Sequence, residues 1–260
     1  MSKKKSKATR RAEQLAASER AAAIRDQQQR QERRRRNRFV AVGIAVALVL
    51  LLGIGYAVQS RRDTTGQVAT PPAGAADTYA LPRGDAGAPV TVTVYEDFMC
   101  PFCRQFESAS RSLLASYVDA GDVRVEYRVL SFLDRASNGT EYSTRSMSAL
   151  GVVLDTAGPE VAGRFHDLLF ENQPAEGSDG LSDDELVDLA VEAGAERADV
   201  TVPIEQRKFE QWVVNATDAA NKADVSSTPT VLVDDESLEY TTIDGLVSEL
   251  EQAVEDAIAG

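Results

Sequence analysis

The chain beyond residue 88 opens with two alternating stretches that flank a helical one. Residues 90–95 (VTVTVY) alternate branched apolar residues with Thr, and residues 122–132 alternate apolar with charged side chains, so both are predicted strands. The stretch between them has apolar residues at helical spacing, and Gly121 follows it as a stop. Its predicted apolar side consists of Phe102, Phe106, Leu113, Leu114 and Tyr117. The pattern predicts strand, helix, strand.

The rest of the chain has a helical pattern that returns to strands near its end. Helices are predicted over residues 140–156, 159–172, 182–193 and 204–222, the third with a Ser182–Glu185 capping box. Residues 230–233 predict a strand, and residues 238–242 are expected to pair with it through a turn at 234–236. Residues 243–258 predict a closing amphipathic helix. This order predicts an α/β domain with a helical insertion.

The first 78 residues have a different character. Residues 39–58 (FVAVGIAVALVLLLGIGYAV) carry no charge, and as a helix they span roughly 30 Å, the thickness of a bilayer core. Residues 1–38 carry a net charge of +10, which predicts a cytoplasmic N-terminus and an extracytoplasmic remainder. A cleaved signal peptide is the alternative, but the apolar run is long for one. Residues 59–78 predict a flexible linker, and residues 79–260 the folded domain.

Charge limits the possible partners of the folded part. The residues after the basic segment carry a net charge of −23, and such an acidic domain repels nucleic-acid phosphates. The basic segment directly precedes the apolar run, so we interpret it as flanking a membrane rather than binding nucleic acid. The sequence therefore predicts a single-pass membrane protein with no nucleic-acid partner.

Cys100 and Cys103 are the only cysteines, and they lie in the segment YEDFMCPFCRQF. Zinc, iron–sulfur and haem sites need further ligands, and the chain has one histidine, so no metal or cofactor is expected here. An inert disulfide would close a very small loop and stabilise little. A dithiol/disulfide redox pair is the favoured interpretation.

The predicted local structure suits that chemistry. Cys100 falls between a strand and a helix start, where free N–H groups and the helix dipole favour a thiolate. We expect Cys100 to be exposed and to exchange with partners, and Cys103 to be shielded and to resolve the mixed disulfide. Pro101 fits the first helical turn and stiffens it, and Phe102 adds no charge.

A second feature lies at Thr228 and Pro229, just before the predicted strand at 230–233. Proline inside a strand is disfavoured unless the position is special. Together with the cysteine pair and the strand–strand–helix ending, this favours a cis Thr228–Pro229 bond that orients the backbone towards a substrate. An ordinary trans proline at the start of an edge strand is the alternative.

The segments GDAGAPVTVTVYEDFMCPFCRQFE, NQPAEG and STPTVLVD resemble the DsbA-like branch of the thioredoxin superfamily, in particular the membrane-anchored members of Gram-positive envelopes. The resemblance covers residues 79–260. It implies a thioredoxin fold with a helical insertion at about 137–202 and thiol–disulfide exchange on exported proteins. It also implies nucleophile and resolving roles for Cys100 and Cys103, and the cis-proline role for Pro229.

Two departures from the family pattern change the expectation. Many relatives have an acidic residue six positions before the first cysteine, where this chain has Val94. Glu96 or Asp97 is expected to assist proton transfer instead, with Glu126 as a further candidate. Strongly oxidising members often carry Cys-Pro-His-Cys, so Phe102 predicts a less oxidising pair.

Three functions remain open from the sequence. The favoured one is an oxidase that introduces disulfides into exported proteins and is reoxidised by a quinone-linked membrane partner. The second is a reductase or isomerase supplied with electrons through the membrane. The third is a non-catalytic peptide-binding module. His166, in RFHDLLF, is expected to be half-buried packing rather than catalytic.

Overall fold

The computed structural model describes residues 67–260. Its elements are β1 (Leu81–Arg83), β2 (Val90–Glu96), α1 (Pro101–Ala120), β3 (Val123–Val129), α2 (Tyr142–Glu171), α3 (Asp183–Ala193), α4 (Arg197–Glu205), α5 (Glu210–Lys222), β4 (Thr230–Val233), β5 (Glu236–Ser237) and α6 (Ile243–Ala259), with a short 3-10 turn at Asp134–Ala136. The predicted membrane segment 39–58 and basic segment 1–38 lie outside the described residues. Among residues 67–260, no helix has the length and apolar character needed to cross a membrane.

The five strands form one mixed sheet in the order β1-β3-β2-β4-β5. β2 and β3 are parallel, and the other three pairs are antiparallel. The parallel pair is connected by α1, which is the crossover helix that parallel strands require. The predicted strand–helix–strand unit is therefore confirmed, and β2 lies at the centre of the sheet.

The core follows the alternation predicted from the sequence. Val123, Val125, Tyr127 and Val129 are buried, while the Arg and Glu residues between them are only half-buried. β2 is buried more evenly, because it lies between two strands and beneath helices. This placement brings the end of β2 and the start of α1 to the centre of the sheet, at the end where β2 terminates.

A helical block is inserted between β3 and β4, as predicted. The helices predicted at 140–156 and 159–172 are the two segments of α2, and they meet at a kink at Gly158, whose φ of 81° is in the left-handed region and which precedes Pro159. α2 packs against α3, α4 and α5, while α1 packs against α6. Together with the order of the sheet strands, this is a thioredoxin fold with a helical insertion.

Two elements differ from the sequence prediction. The helix predicted at 204–222 begins only at Glu210, as α5, and α4, which the pattern did not predict, precedes it; the two separate at Arg207, a residue with a φ of 49°. The strand predicted at 238–242 is instead β5, at Glu236–Ser237. Asp234 and Asp235 both adopt positive φ and close a two-residue hairpin, which brings the returning strand forward.

Residues 67–78, predicted as part of the linker, lie against the domain. Trp212 donates its indole N–H to the Thr78 carbonyl at 2.7 Å, and Asp155 accepts the Ala73 backbone N–H at 2.9 Å. Asn215 donates its side-chain amide to the Gln67 carbonyl at 2.7 Å. Within the described part of the chain, the ordered domain thus begins earlier than residue 79.

Candidate active site

The two cysteines lie where the central strand passes into α1. Cys100 is the N-cap residue of α1 with extended backbone angles, and Pro101 occupies the first turn, where its missing N–H leaves no partner unsatisfied. The Cys100 backbone N–H donates to the Asp97 carbonyl at 2.9 Å, which closes the turn after β2. Both thiols are free, as in a reduced dithiol. Cys100 therefore lies between the end of a strand and the start of a helix, as predicted.

The exposure of the active-site residues differs from the prediction. Cys100 was expected to be exposed, but only 4% of it is accessible, and Cys103 is fully buried. Phe102, assigned to the apolar side of the helix, is 59% exposed. The reason is geometric, because Phe102 at the second helical position points away from the stripe that faces the sheet. The stripe consists of Cys103, Phe106, Glu107, Ser110 and Leu114.

The two thiols have different proton affinities. A hydrogen bond from the Cys103 thiol lowers the pKa of Cys100 to about 6, although burial acts in the opposite direction. The Thr228 side chain and the backbone N–H groups of Phe102 and Cys103 add to the lowering. Burial, together with the hydrogen bond to Cys100 and the charge on it, raises the pKa of Cys103 well above its usual value. The site therefore holds one thiolate and one protonated thiol at neutral pH.

We expect alkylation of reduced Cys100 to follow this pKa. Since only the thiolate reacts with iodoacetamide, the pH dependence of its alkylation rate should have a midpoint near 6. Cys103→Ala removes the donor that contributes most to the lowering, so the midpoint should move upward. Rates measured by mass spectrometry from pH 4 to 10 check both results. An unchanged midpoint in Cys103→Ala would contradict the assigned hydrogen bond.

The cis-proline segment lies directly beside Cys100. The Thr228–Pro229 bond is cis, as predicted, and the Cys100 thiol lies 3.4 Å from the Thr228 carbonyl oxygen. The Tyr240 hydroxyl donates to the Pro229 carbonyl at 2.7 Å. A groove of about 580 Å³ runs along this segment, and Ser226, Ser227 and Tyr240 are among its lining residues. The segment places the Thr228 carbonyl next to the reactive sulfur, and the groove begins at the residues just before it.

Gln173 contacts the site from the helical insertion. Its side-chain amide donates to the Cys100 carbonyl at 2.9 Å. Gln173 belongs to the NQPAEG segment that carries the family resemblance, but no local pattern indicates that it reaches the cysteine loop. It links the insertion to the N-terminus of α1.

The two acidic candidates before the cysteines have different surroundings. Glu96 is fully buried at the end of β2, and its charge contributes to raising the pKa of Cys103. The Asp97 carboxylate accepts hydrogen bonds from the backbone N–H groups of Met99 and Leu133 and from the Ser143 hydroxyl. Burial raises the pKa of Asp97 to about 7, against the effect of these donors. Asp97 thus organises the loop, and Glu96 is the carboxylate next to Cys103.

Glu126, the third acidic candidate, lies on β3 and is engaged elsewhere. Its carboxylate pairs with Arg124 at 3.1 Å and with Arg128 at 3.2 Å. Among the carboxylates, Glu96 is the one whose charge contributes to raising the pKa of Cys103. The proton-transfer role predicted for Glu96 or Asp97 stays a prediction.

A buried polar cluster lies behind the thiols, and most of it was missed from the sequence. His166 was expected to be half-buried packing, but it is fully buried, and its Nε2 contacts the Glu96 carboxylate. Burial opposes the charge on His166, but Glu96 raises the pKa of His166 to about 9. Glu107 lies in the same cluster, where burial and the Glu96 charge raise its pKa to about 8. The sequence signal for this cluster is Glu107 itself, a charged residue on the sheet-facing stripe of α1.

The chain is similar to proteins of the thioredoxin family. The model of a family described as Thioredoxin matches residues 77–252. Among solved structures, the chain is similar to the reduced disulfide bond oxidoreductase DsbG of Mycobacterium tuberculosis, with 30% identity and a TM-score of 0.58, over 69% of this chain and 92% of that one. The chain belongs to the DsbA-like thiol–disulfide oxidoreductases of the thioredoxin family.

Two further matches support this DsbA-like assignment. Oxidised DsbA of Mycobacterium tuberculosis is 31% identical with a TM-score of 0.57, over 69% of this chain and 98% of that one. Disulfide bond formation protein D of Bacillus subtilis (strain 168) is 27% identical over 154 residues, 58% of this chain and 66% of that protein. Matches with other curated relatives, 33% identical over 116 residues, span 44% of this chain and 20% of theirs.

Proposed function

We propose that this DsbA-like chain is an extracytoplasmic oxidase that transfers the Cys100–Cys103 disulfide to exported proteins. The lowered pKa of Cys100 carries the proposal. A stabilised thiolate favours the reduced enzyme, and a disulfide whose reduced form is stabilised is a better oxidant. The hydrogen bond from Cys103 and the N-terminal N–H groups of α1 provide this stabilisation.

The exchange needs two thiols of the substrate. A substrate thiolate attacks the Cys100 sulfur, a new S–S bond forms, and Cys103 leaves and takes up a proton, in keeping with its raised pKa. A second substrate thiolate then attacks the substrate sulfur of the mixed disulfide, so that Cys100 leaves as a thiolate. The substrate loses two electrons and the enzyme gains them. A quinone-linked membrane partner then accepts these electrons and restores the disulfide.

The groove beside Pro229 is the proposed site for the substrate chain. Its backbone and hydroxyl groups offer hydrogen bonds to an extended peptide without selecting a side chain. Phe102, two residues after Cys100, adds an exposed aromatic ring. A surface of this kind suits an enzyme that meets many unfolded sequences.

The apolar segment 39–58 supports placing this reaction outside the cytoplasm. We propose that it is an uncleaved anchor, with the basic residues before it on the cytoplasmic side. Disulfides persist in oxidising compartments and are reduced again in the cytosol, so an enzyme that introduces them acts productively only outside the cytosol. The proposed redox partner shares the same membrane.

The reduction potential of the pair tests the proposal. The full chain in detergent is equilibrated in glutathione buffers, and the fraction of oxidised Cys100–Cys103 is measured by alkylation and mass spectrometry. We expect a value between roughly −180 and −120 mV, the range of disulfide donors and isomerases. A value near roughly −270 mV would instead indicate a reductase supplied with electrons by a membrane donor. A value above roughly −120 mV would contradict the effect assigned to Phe102.

Introducing a histidine at position 102 should make the pair more oxidising. Phe102 is 59% exposed, so the domain tolerates the exchange, and a partly charged imidazole would stabilise the Cys100 thiolate. Each tenfold gain in stabilisation of the reduced form raises the potential by about 30 mV. We expect Phe102→His to shift it upward by about that amount, and the uncharged Phe102→Asn to shift it less. Equal shifts in both variants would show that charge is not the cause.

A further inference from the structure

Glu96, Glu107 and His166 converge behind the cysteine pair from three different elements. Glu96 ends β2, Glu107 lies on the sheet-facing stripe of α1, and His166 lies on α2 of the helical insertion. One ligand atom from each lies within 4.8 Å of those of the other two, and all three residues are buried. This juxtaposition was built by the fold, since 70 residues separate the ends of the set in sequence.

Three oxygen atoms of this cluster have no hydrogen-bond partner. Oε2 of Glu96 and both carboxylate oxygens of Glu107 are buried, and none of the described residues donates a hydrogen bond to them. Leaving a buried polar atom unpaired costs about 1–3 kcal/mol, and more for a charged group. Three such atoms at one point indicate that a further group belongs there.

The donor atoms and charges of the cluster fit a divalent cation. Glu96, Glu107 and Asp167 contribute three carboxyl groups, and Arg83, which pairs with Asp167 at 2.6 Å, contributes one guanidinium. A proton on His166 and one on Glu107, in keeping with their raised pKa values, leave this set neutral when no ion is bound. A divalent cation would displace both protons, balance the two negative charges that then remain, and satisfy the unpaired oxygens.

His166 has the orientation that a metal-ligating histidine needs. Its Nδ1 lies 3.3 Å from an Asp167 oxygen, so an Nδ1–H would donate to that carboxylate. Nε2 contacts the Glu96 carboxylate, and one ligand atom of Glu107 lies within 4.8 Å of those of the other two residues. Histidines that bind metals usually donate the other ring N–H to a carboxylate in this way. Asp167 is in turn fixed by Arg83.

We propose that Glu96, Glu107 and His166 form a binding site for a divalent transition-metal ion of the zinc type. One imidazole nitrogen and two carboxylates suit Zn²⁺, Co²⁺ or Mn²⁺ better than Ca²⁺, which takes more ligands and only oxygens. Zinc binds such atoms at about 2.0–2.2 Å, so a small rearrangement of the cluster would complete the bonds. No metal or cofactor was expected from the sequence, where zinc was argued against at the cysteines, and the proposed site uses neither cysteine. The proposal does not rest on the proposed oxidase function.

The test uses Zn²⁺ and the full chain with Cys100→Ser and Cys103→Ser, so that no thiolate binds the metal. The chain carries no affinity tag containing histidine, which leaves His166 as its only histidine. Because the cluster is buried, the protein is refolded from denaturant with Zn²⁺ in detergent, freed of loose metal with a weak chelator, and analysed by mass spectrometry of the metal. We expect about one ion per chain and a raised Tm.

Two matched variants distinguish zinc binding at the cluster from zinc binding to carboxylates on the acidic surface. Glu107→Gln keeps the volume of the side chain but removes a ligand charge, and we expect zinc affinity to fall at least tenfold. Glu160→Gln, on the same helix as His166 but exposed, should bind as the parent does. Circular dichroism confirms that both variants are folded. Absence of retained metal in the refolded parent, or equal retention in Glu107→Gln, overturns the proposal.

A spectroscopic measurement gives a readout that does not depend on the variants. Co²⁺ replaces Zn²⁺ in such sites, and its visible absorption bands report a low-symmetry environment of nitrogen and oxygen ligands. We expect these bands in the parent refolded with Co²⁺ and their loss when one equivalent of Zn²⁺ is added. A spectrum identical to that of hydrated Co²⁺ would show that no built site exists.

Discussion

Replacing Cys103 with Ser should abolish disulfide transfer and leave a protein that becomes trapped on its substrates. Without Cys103 the enzyme has no disulfide to donate. The remaining Cys100 thiolate still attacks substrate disulfides, but no neighbouring thiol resolves the product. In the parent, the Cys103 thiol resolves the mixed disulfide at a very high effective concentration, and its loss should lower turnover at least about 100-fold. The mixed disulfide should therefore accumulate.

The matched variant is Cys100→Ser, which should lose turnover without forming adducts. Its remaining thiol, Cys103, is fully buried and has a raised pKa, so it offers neither access nor a thiolate. Membrane extracts alkylated in acid and run with and without reductant show the adducts of each variant. Equal adducts in both would contradict the assigned roles. Full activity of the double Ser variant would favour the non-catalytic binding module.

Much of the fold was predictable because its signals are local. Alternation over 90–95 and 122–132, the proline at the start of α1 and Gly121 at its end each depend on residues a few positions apart. Gly121 follows the last residue of α1 and has a φ of 80°, the left-handed conformation that glycine usually adopts at the end of a helix. The order of such signals was sufficient to predict the thioredoxin core.

The wrong predictions concern features that depend on contacts between residues far apart in the sequence. Cys100 was predicted to be exposed from its place at a helix start, but the cis-proline segment, 128 residues later, covers it. The strand pairing at the C-terminus was predicted, but its register depended on the positive φ angles of Asp234 and Asp235. Sequence patterns identify elements, and they do not say which loops pack over them.

The cluster of Glu96, Glu107 and His166 shows this limit most clearly. A glutamate on the buried stripe of α1 breaks the apolar pattern and could have been noticed. His166 gave no such signal, because a histidine within an apolar helix is usually packing. Only the topology of the insertion, which lays α2 against the end of the sheet, brings it to Glu96.

Asp97→Ala should destabilise the domain by about 3 kcal/mol or more. The carboxylate accepts three hydrogen bonds at 2.7–2.9 Å, two from backbone N–H groups that the alanine would leave unpaired in the interior. Each unsatisfied buried group costs about 1–3 kcal/mol. Ser143→Ala removes only one donor and leaves the others in place, so its cost should be about 1 kcal/mol. Chemical denaturation of the reduced proteins measures both.

Asp97→Asn separates this structural role from a role in proton transfer. The amide oxygen still accepts hydrogen bonds, but its NH₂ group faces donors, so we expect a loss of stability between those of the other two variants. Disulfide transfer per folded molecule should change little, because the carboxylate whose charge raises the pKa of Cys103 is Glu96. If Asp97→Asn keeps its stability and loses transfer, Asp97 is the proton-transferring acid, and the hydrogen bonds to Met99, Leu133 and Ser143 only hold it in position.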